Sequence, residues 1–109
     1  MDSDSFAHFF EQDASFVFAN NPPAKGHAEI RGVADYVFNR LSAISHQVVG
    51  SWPQDNCLLV EGVVSYTLKD PQRDRLDLGF FCVFRFSKEN PHLIQSYRSY
   101  IDASQVFVE

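Results

Sequence analysis

His46 and Tyr66 are the residues of this chain best suited to moving or holding a proton. His46 opens a strand-like segment directly after the main helical stretch, and an unperturbed imidazole titrates near ~6.5, so it can take or give a proton at neutral pH. The competing reading is a structural histidine bonding the end of the helix. Tyr66 shares the apolar side of its segment with Val64. Its hydroxyl can orient a ligand carbonyl or phenol, or it can be an ordinary core tyrosine with a satisfied hydroxyl. Asp102 has the strand parity of Arg98, and Glu61 lies on the polar side of its own strand, so an Arg98 to carboxylate pair reads as structural. A bulge that shifts the register would turn Asp102 toward a pocket mouth and make it an acid/base candidate. Asp13, close behind the first helix, suits a loop or cavity role, whereas Asp35 falls off the apolar stripe of the main helix and faces solvent.

Other chemistries lack their residues. His8, His27 and His92 fall on a helix face, a helix start and a turn, without the spacing of a zinc or iron site, and no Gly-rich phosphate loop is present. Neither a metal nor a cofactor is expected. Cys57 and Cys82 lie in apolar segments without CxxC spacing and read as reduced, buried thiols, a disulfide being the alternative. Nine Lys and Arg against fourteen Asp and Glu give a formal charge of -5 with no basic cluster, so nucleic acid is not an expected partner. No apolar run reaches the roughly 18 to 20 residues of a membrane span, and the acidic start MDSDSF is unlike a signal peptide, so a cytoplasmic protein is expected.

The elements that must position these residues can be read from periodicity. One domain over 1–109 suits a chain of 109 residues, and 45% apolar residues with eleven Phe predict a Phe-rich core. Asp2 or Ser3 can cap a short helix to about Gln12, with Phe6, Phe9 and Phe10 on one face. Ser15 to Ala19 alternates as a strand before the turn Asn20-Asn21-Pro22-Pro23. Ile30, Val33, Val37, Leu41 and Ile44 then predict a main helix from Gly26 to about Ser45.

From there the period is two, with strands near His46–Trp52, Cys57–Leu68, Leu78–Phe86 and His92–Ile101 forming an antiparallel meander. The fold class is therefore α+β, with helices on one face of a strongly curved antiparallel sheet. Leu78 to Phe86 is apolar on both faces, Phe81 and Val83 occupying the second, which predicts a homodimer through the outer face of the sheet.

Four segments, FVFANNPPAKGHAEIRGVADYVFNRL, SHQVVGSW, LLVEGVVSYTLKD and LIQSYRSYID, together resemble in order and spacing the SnoaL-like branch of the nuclear transport factor 2-like (NTF2-like) superfamily. The resemblance implies a cone-shaped barrel, here shortened at the N-terminus, with a pocket between helices and concave sheet and a dimer through the convex side. The family includes polyketide cyclases, dehydratases, isomerases and, in a nearby branch, limonene-epoxide-type hydrolases. The charged residues of that hydrolase branch fall on Gly62, Val64 and Ser99, so its mechanism is not expected. Its turn Asn matches Asn20, and the neighbouring Tyr is replaced by Phe18.

By this resemblance Asn20, Phe18, Tyr66, Val64, Tyr97 and Ser99 are expected ligand-binding residues, with His46 and Asp102 as catalytic candidates. The expected function is binding of a small hydrophobic or polyaromatic molecule with cofactor-free cyclase, isomerase or dehydratase-type turnover. The alternative is a non-catalytic ligand-binding or dimerisation module.

Overall fold

The structure, a computed structural model, describes residues 1–107. Helix α1 (Ser3–Ala7) is capped by Asp2, whose carboxylate accepts from the Asp4 amide at 3.0 Å. It is shorter than expected: Phe6 turns into the core, but Phe9 is 62% exposed and Phe10 opens β1 (Phe10–Phe18). The inward positions of β1, Ala14, Phe16 and Phe18, alternate as a strand requires, and this period overrides the helical stripe.

After the two-residue β2 (Ala24–Lys25) comes α2 (Gly26–Phe38), which buries Ile30, Ala34 and Val37. Leu41 and Ile44, expected to continue that helix, belong instead to β3 (Leu41–Gln54). The cause is a register shift between Leu41 and Ala43. One extra residue lets Leu41, Ile44 and His46 all face inward, a spacing that imitates a helical repeat. His46 consequently lies within β3, opposite Val64 of β4.

β4 (Cys57–Leu68), β5 (Leu76–Phe86) and β6 (Ile94–Ile101) complete the meander, and a 3-10 turn, η1 (Ser104–Phe107), follows. The sheet order is β2-β1-β6-β5-β4-β3. Pairing is antiparallel throughout except that β1 runs parallel to β6, so the sheet is mixed at that one joint. The architecture is the expected α+β one: α1 and α2 lie on the concave side of a single curled, open sheet. Among the described residues no helix is long and apolar enough to cross a membrane.

Curvature has an identifiable source. A second register shift, between Val48 and Gly50, inserts Val49 into β3 opposite Gly62 of β4. A Cβ at Gly62 would lie 2.4 Å from the Gln47 carbonyl oxygen and 2.8 Å from the Phe80 ring, so only glycine lets β3 and that ring close over β4 here. Inward along β4 lie Val60, Val64 and Tyr66, facing Cys82, Leu78 and Leu76 of β5. The convex face carries Phe81, Trp52 and Tyr100, all exposed, with the Arg98 guanidinium 4.8 Å above the Tyr100 ring.

Candidate functional site

Two adjoining cavities lie between the helices and the concave sheet. The first, about 290 Å³, sits under α2 and is walled by Phe16, Phe18, Val33, Val37, Ile44 and Tyr66. The second, about 400 Å³, sits under α1 against Val60, Phe80, Cys82 and Phe84, and opens past Phe9 and Val48. Phe6, His46 and Tyr97 border both, forming a waist between two lobes. Sequence reasoning placed Phe6 in the core and passed over its position at this waist. Its neighbours explain the packing: the Phe6 ring meets Phe16 at 5.4 Å and Tyr97 at 6.5 Å.

No Asp, Glu, Lys or Arg lines either lobe among the described residues. His46 has an exposed edge but sets its ring edge-on to Phe80 at 5.7 Å, and loss of water on that side lowers its pKa below the ordinary 6.5. It is therefore neutral at pH 7, with one ring nitrogen free to accept a hydrogen bond and the other to donate. It makes no hydrogen bond to another described residue.

Tyr66 is only 4% exposed, its hydroxyl has no protein partner, and no buried side-chain oxygen among the described residues is left both dry and unpaired. The hydroxyl therefore opens into the first lobe. Burial, with a smaller contribution from Cys82, pushes its pKa up to about 12, so it is a hydrogen-bond donor at any physiological pH. His46 pairs with Val64 and Ile44 with Tyr66, which makes the imidazole and the phenol diagonal neighbours on one face of β3 and β4, roughly 7–8 Å apart at the backbone.

At the floor of the second lobe the Cys82 sulfur sits 3.5 Å from Tyr97 Oη and 3.8 Å from Ser99 Oγ, so these three polar groups contact one another. Burial raises the Cys82 thiol and holds the Tyr97 hydroxyl far above the usual phenol range, which leaves the floor neutral. Cys82 was read from sequence only as a buried thiol. Its inward parity on β5 was the available signal for this contact.

The remaining expected residues are distributed as follows. Phe18 lines the first lobe and Tyr97 borders both, while Ser99 is buried beneath Cys82. Val64 is packed in the core at 1% exposure, between the two polar residues. Asn20 is exposed in the turn after β1 and Asp102 is exposed after β6, and neither borders a lobe. The Asp102 carboxylate accepts from the Ser104 amide at 3.2 Å, a contact that lowers its pKa and starts η1. No register shift brings Asp102 to the pocket, because β6 pairs regularly with β5 from Ser96 to Ile101.

Solved structures share this fold. A protein of ketosteroid isomerase-like fold from Catenulispora acidiphila, crystallised with trimethylamine, superposes with a TM-score of 0.83 at 15% identity, covering 97% of this chain and 79% of its own. A candidate SnoaL-like polyketide cyclase from Jannaschia sp. CCS1 gives 0.79 at 12% identity, covering 95% and 74%. An epoxide hydrolase of the limonene type from M. tuberculosis gives 0.72 at 14% identity, covering 97% and 74%. The fold is that of the NTF2-like proteins. No family model matches the sequence, and no curated protein matches it.

Proposed function

We propose that the chain binds a small, uncharged, largely apolar molecule in the concave cavity and holds one of its oxygen atoms between His46 and Tyr66. The observation that carries this reading is the Tyr66 hydroxyl, without a protein partner, opening into a largely aromatic lobe lined by no Asp, Glu, Lys or Arg. Such a group costs stability unless a ligand or water satisfies it, and it gives orientation to an otherwise greasy pocket. The cyclase and hydrolase of the same fold support a small-molecule site of this kind.

Binding of 2-naphthol, followed calorimetrically, tests it. Saturable one-to-one binding should weaken about fivefold in Tyr66→Phe, the worth of one net hydrogen bond of ~1 kcal/mol. The absence of saturable binding to the folded protein would refute the reading.

A second reading rests on the neutral state of His46. A neutral imidazole can take a proton α to a carbonyl while the Tyr66 hydroxyl donates to the developing enolate oxygen, and solvent later returns the proton to carbon. Deuterium exchange into 2-tetralone, followed by NMR, should then be faster than in buffer and lost in His46→Ala. Equal rates in both proteins would leave a binding module without turnover. Asp102 takes no part in this scheme.

The convex face supports a further element of the proposal, a second copy of the chain covering Phe81, Trp52 and Tyr100, which are too exposed for comfort in a lone subunit.

A further inference from the structure

We infer that the ligand is elongated and polar at one end only: a head with a single hydroxyl or carbonyl in the lobe under α2, and an unbroken hydrocarbon extension through the waist into the lobe under α1. This rests on the binding reading above and adds the ligand's shape and polarity.

The argument comes from the contrast between the lobes. The lobe under α2 contains a free hydroxyl donor, on Tyr66, and His46 stands at its inner limit. The lobe under α1 is the larger, about 400 Å³ against about 290 Å³, and away from His46 at its border it is lined mainly by apolar side chains, with the Cys82 sulfur in contact with the Tyr97 and Ser99 hydroxyls at its floor. A polar atom placed deep in it, away from His46, would lose water for few partners, whereas a methylene would gain transfer energy. A compact ligand would fill one lobe and leave the other as an apolar void. An elongated one would occupy both, since the two lobes adjoin at Phe6, His46 and Tyr97. The second lobe also opens between Phe9 and Val48, 62% and 58% exposed, so a chain longer than the lobe leaves across apolar side chains and not through polar ones.

The test is a series of 4-n-alkylphenols from phenol to 4-hexylphenol, titrated calorimetrically into the intact protein below their aggregation limits. Affinity should rise about fourfold per methylene, the equivalent of ~0.8 kcal/mol, until the second lobe is full. Val60→Trp fills that lobe from its wall and should flatten the series. Val48→Trp, at an exposed position of the edge strand β3, should do the same by narrowing the opening. Tyr66→Phe should weaken every member by the same factor, leaving the slope unchanged.

Phenol binding with no gain along the series, or a slope that survives both tryptophan variants, overturns the two-lobe ligand while sparing the binding reading. Failure of every member to bind overturns both.

Discussion

At the scale of single residues, the site depends on two groups whose protonation is set by lost water and not by charged partners. His46 has its pKa lowered by burial of part of its ring, so the unfolded chain binds more protons than the folded one below about pH 6.5. The sign follows: stability linked to neutral His46 is complete above about pH 6.5 and is lost as pH falls through the lowered folded value. The melting temperature should therefore drop between pH 7.5 and pH 5.5, and His46→Gln should reduce that drop. A drop of equal size in the variant would assign it elsewhere. The lowered carboxylates Asp77, held by the Ser65 hydroxyl at 2.6 Å, and Asp102 lose their contribution only in more acid solution, below about pH 4, so the two windows separate. Tyr66 adds an alkaline limb that begins near pH 10, where the unfolded phenol ionises, and runs to about pH 12.

At the scale of elements, the decisive contact is between β3 and β4 at Gly62. Gly62→Ala forces a Cβ against the Gln47 carbonyl and the Phe80 ring, both of which hold the concave wall. It should cost about 2–3 kcal/mol and lower the melting temperature by on the order of 10 °C. Gly79→Ala, with nothing within 4 Å of its Cβ on the neighbouring strand, should change it little. A calorimetric scan of both proteins decides, and equal effects would remove Gly62 as the source of curl.

The same strands show what could be read from sequence. The inward set of β4 and the double-faced β5 were legible because strict alternation fixes which side chains share a face. The end of α2 and the start of β1 were not legible. A bulge at Ser42 gave Leu41 and Ile44 a helical spacing, and Phe6, Phe9 and Phe10 form a helix-like triplet that actually straddles a helix and a strand. Of the site, Tyr66 was visible as an inward polar residue and His46 as the histidine that opens a strand. The contact of Tyr97 and Ser99 with Cys82 was not, because it needs the pairing of Cys82 with Ser99 across β5 and β6.

At the scale of the molecule, the convex face sets the assembly. Phe81, 36% exposed, lies centrally on β5 with Trp52 and Tyr100 to either side across the sheet. If the proposed dimer forms there, light scattering should give twice the chain mass for the parent protein and a folded single chain for Phe81→Asp, since two buried aspartates facing across a two-fold axis cannot both stay charged cheaply. A single chain mass for the parent protein would exclude it.

The parallel joint of β1 with β6 has a kinetic consequence. The hairpins from β3 to β6 close over short stretches of chain, whereas Phe16 and Phe18 meet Tyr97 and Ser99 about 80 residues away. Closing so long a loop is the entropically slowest step available to this topology, so the meander should form first and β1, carrying α1, should dock last. Both lobes are walled by residues of that late segment, Phe6 among them. The binding cavity thus comes into being only at the final event of folding, and ligand capture would report the completed native state rather than any intermediate.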